Sequence, residues 1–156
     1  MRDNPDHHDA ELLLRLYDLR REEKLRRARD WFIREFNAED MDDFLRRYPP
    51  GSEENVYYRL TVTYWDMAAS LVNHGLIHEE LFFENTGEFW AVWEKMQHLV
   101  PAWRERLKIP QMYSNFQRLV ARYEAWMNAR APGSLDARRQ MFKKMAAAKP
   151  ATPPGS

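Results

Sequence analysis

The sequence predicts an all-α fold, a single-domain bundle of about six helices with a long N-terminal helix. Apolar residues recur at three- and four-residue steps along most of the chain, the period of a helix with one buried face. No run alternates polar and apolar residues between turn signals, as a half-buried strand does. Only five glycines stand among 156 residues, few for a protein built on tight hairpins. With 44% hydrophobic and 13% aromatic residues, the chain has enough apolar mass for a core of its own. The helical domain is expected over 9–147, between disordered ends at 1–8 and 148–156, the second reading "AKPATPPGS".

The first helix is expected over about residues 9–36, capped by Asp9 and carrying Leu12, Leu13, Leu16, Leu19, Ala28, Trp31, Phe32 and Phe36. At about 1.5 Å per residue it spans roughly 40 Å. Its middle, "RREEKLRRARD", has few apolar anchors. It needs i,i+4 charge pairing around Asp18 and Glu22, flanked by Arg15 and Arg26, or a second subunit. Next, "NAEDMDDFLRRYPPG" has Asn37 as cap, acids in its first turn, bases in its last and a Pro-Pro-Gly stop, so it reads as a short helix.

Ser52 caps a helix that runs to about Asn73. Its polar members Arg59, Thr63, Asp66, Ser70 and Asn73 recur at steps of 4, 3, 4 and 3, which aligns them in one seam on an otherwise apolar helix. Gly75 suits the left-handed position past a helix end, and "LIHEELFF" follows as a short helix with Glu79 and Glu80 in its first turn. "NTGEFWAVWEKMQHLVPAW" restarts with Asn85 as cap and Glu88 three residues on. Its stripe is Phe89, Trp93, Met96, Val100 and Trp103, and Pro101 re-aims it. Pro110 opens a further helix that buries Met112, Phe116, Leu119, Val120, Tyr123 and Met127. "APGS" ends that helix, and Ser134 caps a last, basic one.

Lysine plus arginine and aspartate plus glutamate both number 24, so no net field draws the molecule to nucleic acid or an anionic membrane. Charge is uneven locally. Residues 53–98 hold eight acids against Arg59 and Lys95, a balance of −6, and residues 118–149 hold eight bases against Glu124 and Asp136, a balance of +6. Such blocks attract, within one subunit or between two. The absence of cysteine excludes disulfides, thiol catalysis and zinc-thiolate sites, and points to a reducing compartment. "MRDNPDHHDAELLL" lacks the apolar run of a signal peptide, and no segment has the roughly 18 apolar residues that span a bilayer. A cytoplasmic location is expected.

Four features group together: "NHGLIHEELFF", a helix closing on a small-residue turn; "GEFWAVWEKM", a glycine before an aromatic helix; "VPAWRER", a proline bend leading to an arginine; and a closing "MYSNFQRL". Over about residues 56–123 the chain resembles an uncharacterised bacterial helical family known only as a domain of unknown function. The resemblance implies an all-α fold and brings no activity or functional residue with it. Members of that family often carry a membrane helix ahead of the domain, where this chain has a charged helix.

For metal chemistry the candidates are His74 with His78 and Glu79 or Glu80, and Glu94 with His98, each pair spaced i,i+4. Gly75 interrupts the first pair, and neither H-E-x-x-H nor paired Glu-x-x-His occurs, so no metal or other cofactor is expected. There is no G-x-S-x-G elbow and no phosphate-binding glycine loop. Asp66, among Tyr64, Trp65 and Met67, can serve as an acid or base if buried, although pairing with an arginine is the commoner fate of such a residue. The interleaved acids in "RREEKLRRARD" mark a solvated helix face, so no nucleic-acid partner is expected. The last helix, "LDARRQMFKKMAAA", is basic and amphipathic, but short for a membrane-surface anchor. Trp90 and Trp126, at the edges of their helices' stripes, are candidate interface anchors if exposed.

The expectation is therefore a non-enzymatic cytoplasmic interaction or scaffold module that forms a homodimer through its first helix. The candidate binding residues are Arg59, Asp66, Ser70 and Asn73. The alternative is a small-molecule-binding or metal-dependent helical enzyme using Asp66, His74, His78 or His98.

Overall fold

The computed structural model describes residues 2–148. Among them there is no strand. The helices are α1 (His7–Arg20), α2 (Glu23–Arg34), α3 (Met41–Arg47), α4 (Glu53–Asn73), α5 (Glu79–Asn85), α6 (Glu88–Met96), α7 (Val100–Leu107), α8 (Ser114–Arg130) and α9 (Ser134–Ala147), with a 3-10 turn at Gln97–Leu99 between α6 and α7. The chain divides into two compact units at residues 120 and 121. The tail expected over 148–156 lies outside the described residues from position 149 on.

The long first helix is two helices, which corrects the reading of 9–36 as one. Glu22 leaves the helix (φ −53°, ψ 139°), and its carboxylate accepts the N–H groups of Lys24 at 3.1 Å and Leu25 at 3.0 Å, capping α2. Those two bonds hold the Glu22 carboxyl below the usual range. Arg29 closes the other side of the break by donating from Nη1 to the carbonyl of Arg20 at 2.8 Å. Glu22 thus serves a helix end and is not part of the charge ladder expected with Asp18.

Several boundaries also move. Asp6, not Asp9, caps α1, accepting from His8 N at 2.8 Å and Asp9 N at 3.3 Å, and Asp9 answers as the other half of a capping box. Asp40, not Asn37, caps α3 through Asp43 N. Gly87 precedes α6, and Asn85 ends α5. Pro110 lies in the turn before α8 and not in its first turn. Gly133, at φ +85°, holds the cap position expected for Ser134. Ser52 caps α4 as read, through Asn55 N at 3.2 Å, and α4 ends at Asn73. Pro101 stands in the first turn of α7, just past the 3-10 turn that re-aims the chain.

In the first unit the core is aromatic. Tyr58 of α4 lies 5.9 Å from the ring of Phe32, 5.2 Å from Phe36 and 4.7 Å from Phe44. Trp103 Nε1 donates to the Tyr58 hydroxyl at 3.1 Å, which satisfies a buried polar pair, and burial pushes the Tyr58 phenol far up. A second group joins Trp65, Phe82 and Phe89, and a third sets Trp93 5.0 Å from Phe116. In the second unit, Arg139 Nη2 donates to Glu124 Oε1 at 2.9 Å and Arg138 Nη1 to the Tyr123 hydroxyl at 3.3 Å, tying α9 to the end of α8.

Candidate functional site

The seam on α4 meets the start of α8. Asp66 Oδ1 accepts the N–H of Phe116 at 3.1 Å, and Asn73 Nδ2 donates to the carbonyl and to the side-chain oxygen of Asn115, both at 3.0 Å. Phe116 carries one of the N–H groups that a helix start leaves without an intrahelical partner. Asp66 supplies that partner from another helix, in place of the arginine pairing expected for it. Burial raises the Asp66 carboxyl and the Phe116 bond opposes the rise. The approach to α8 is a tight turn. Tyr113 is buried with φ +60°, and burial together with the charge of Asp66 pushes its phenol up to about 12. Arg104 of α7 straps the turn, Nε to the carbonyl of Met112 and Nη2 to Gln117 Oε1, each at 2.9 Å. "VPAWRER" and "MYSNFQRL" are therefore two sides of one junction.

The other seam residues make no hydrogen bond to it, although the charge of Arg59 acts on the Tyr113 phenol. Arg59 is exposed, and its carbonyl accepts from Thr63 Oγ1 at 2.6 Å. Ser70 offers its carbonyl to His74 Nδ1 at 2.8 Å, which makes His74 a donor at the C-terminus of α4. His78 caps α5, its Nδ1 accepting from Leu81 N at 3.4 Å. His98 Nε2 meets the carbonyl of Ala38 at 2.7 Å. Each of these three histidines thus serves a backbone group, His74 and His78 on their own helices and His98 across 60 residues. Among the described residues no three or more histidine, aspartate or glutamate side chains gather as metal ligands would.

Asp9 does what its sequence position did not suggest. It is fully buried, and its two oxygens accept three donors at 2.7 Å each: Asp6 N, Arg2 Nη2 and His78 N. The start of α1 is thereby tied to the turn between α4 and α5, where Gly75 holds φ +73°. Trp90 is fully buried, which removes it as a surface anchor. It belongs to an α6 whose Phe89, Trp90, Ala91, Val92, Trp93 and Met96 are all buried. Trp126 is half-buried in the second unit, with the Arg130 guanidinium 4.7 Å from its ring centre.

A cavity of about 250 Å³ opens between α1, α4 and α5, lined from α1 by Leu13, Leu14, Leu16, Tyr17 and Arg20 and from the other two helices by Tyr64, Trp65 and Phe82. Three of its polar groups are engaged within the fold, whereas Trp65 Nε1 has no hydrogen-bond partner. The Tyr64 hydroxyl donates to the carbonyl of Leu16, Thr86 Oγ1 to that of Phe82, and Asn85 Nδ2 to that of Leu81. The space therefore presents mainly hydrocarbon and ring surface.

A family model described as Domain of unknown function (DUF4760) matches residues 5–123, from just before α1 into the first part of α8. The chain belongs to the DUF4760 family. The match takes in Asp9 with its Asp6 and His78 partners but not Arg2, and it takes in the cavity and the junction of α4 with α8 and leaves out α9. No curated protein and no solved structure matches the chain. Among the described residues of this DUF4760 protein no helix is long and apolar enough to cross a membrane.

Proposed function

We propose that this DUF4760 protein is a non-enzymatic cytoplasmic interaction module that self-associates through α1. The observation that carries the reading is the distribution of apolar residues on that helix. Leu16 is buried, whereas Leu14 is 63% exposed, Leu19 52% and Tyr17 46%. At about 100° per residue, Leu14 and Leu19 lie on well-separated sides of the axis, so the apolar surface runs most of the way around α1. Glu11, Arg15 and Asp18 occupy the remaining, exposed face, so α1 carries a broad apolar arc of which its own unit covers only the Leu16 side.

A second copy is the partner that fits the charges. In an antiparallel two-fold pair, Glu11 near the acidic start of one α1 faces Arg21 at the basic end of the other, and the two helix dipoles oppose. The lack of cysteine and the balanced charge suit a reducing, soluble compartment. Light scattering on the purified chain and on a form with Leu14 and Leu19 changed to lysine tests the reading. A second reading, small-molecule binding, is favoured by the apolar cavity rather than by the region of Asp66, His74 and His78, whose polar groups serve helix ends.

A further inference from the structure

The lining of the cavity between α1, α4 and α5 includes one cation, Arg20, and no anion. The Arg20 guanidinium lies 4.8 Å from the ring centre of Tyr17 and that of Arg21 5.4 Å from the same ring. Among the described residues neither side chain forms an ion pair or donates a hydrogen bond. Arg20 is only half-exposed, and it lines the same space as the Tyr64 ring. An unpaired arginine beside an apolar recess combines one site for an anion with one for a hydrophobic body.

We propose that this cavity binds a small apolar carboxylate, its hydrocarbon or aryl body against Leu13, Leu16, Trp65 and Phe82 and its carboxylate on Arg20. Size sets the class. A dry protein cavity of about 150 Å³ holds benzene, so the present one has room for roughly ten non-hydrogen atoms, the size of a medium-chain acid or a small aryl acid. Each anionic oxygen can take an N–H from the guanidinium fork, and the body displaces poorly held water from an apolar wall. This inference rests on the second reading, small-molecule binding, and Leu14 and Tyr17 line the same cavity, so the oligomeric state is varied below through Leu19 alone.

Calorimetric titration with sodium octanoate and with 1-octanol, which shares the chain and lacks the charge, tests it. The unsubstituted chain should bind octanoate at one site and more tightly than octanol. R20Q should weaken octanoate about tenfold and leave octanol unchanged. L13W, which fills the recess, should abolish both. R20Q alters only a side chain at the surface and keeps the fold, so the comparison does not rest on L13W folding. Repeating the octanoate titration with L19K, which lies outside the cavity lining, should give at least the unsubstituted affinity, because a second copy on α1 would cover Leu14 and Tyr17 rather than add to the site. Absence of octanoate binding at millimolar concentration, equal affinity for octanoate and octanol, or an unchanged octanoate affinity in R20Q would each overturn the assignment.

Discussion

Asp9 Oδ1 accepts the backbone N–H of His78 at 2.7 Å, across 69 residues of chain. The same oxygen accepts from Arg2, and the other oxygen from Asp6 N. A carboxylate suits this position because all three partners are donors. Asparagine has one accepting oxygen, so in D9N the amide group must face a donor in either orientation. The expected cost is about 2 kcal/mol, from backbone N–H groups left unpaired in a buried place. Urea denaturation of D9N against the unsubstituted chain measures it. A difference under about 0.5 kcal/mol would show that Asp9 does not hold the start of α1 to the α4–α5 turn.

Thr61 on α4 is fully buried, and its Oγ1 has no hydrogen-bond partner. Valine has nearly the same shape without the hydroxyl. T61V is therefore expected to stabilise the protein by about 1 kcal/mol, because a desolvated and unpaired polar atom is removed while packing is kept. Differential scanning calorimetry should show a rise in melting temperature of about 3 °C. A lowered melting temperature would mean that the hydroxyl is satisfied.

Asp66 separates a hydrogen bond from a charge. D66N keeps an oxygen for Phe116 N, whereas D66L leaves that N–H unpaired and should cost about 1–2 kcal/mol. Burial raises the Asp66 carboxyl above its ordinary 3.8, so the folded state favours the protonated form. The associated stabilisation is fully present below 3.8 and is lost as pH rises through the higher folded value. The unsubstituted chain should accordingly lose stability relative to D66N from about pH 4 upward, and the two should converge in acid. Melting curves of both forms across that range check the sign, and the opposite trend would contradict it.

The seam containing Asp66 could be read from the sequence because side chains three and four residues apart on a helix share a face. Its partners could not. Phe116 is 50 residues from Asp66 and Asn115 is 42 from Asn73, and periodicity carries no information about which distant backbone group meets a side chain. The break between α1 and α2 was hidden for a different reason. Glutamate is an uncommon cap, and neither glycine nor proline marks the position. A signal was present nonetheless, since the weakly anchored "RREEK" is where the helix ends. The Phe89–Trp93 stripe places Trp90 at its edge, but α6 buries five consecutive residues from Phe89 to Trp93, more than one face of a helix. The family resemblance rested on short motifs, and two of them proved to be the strap and the turn that Arg104 joins.

The most direct test of the self-association reading is multi-angle light scattering after size exclusion, at tens of micromolar protein. The unsubstituted chain should elute with twice its chain mass of 18.8 kDa. L14K/L19K should elute at the single-chain mass and stay folded, because both side chains are already largely exposed within one chain, with a melting temperature lowered by the loss of the partner. An unsubstituted chain that is monomeric, or a dimer that survives L14K/L19K, would contradict self-association through α1.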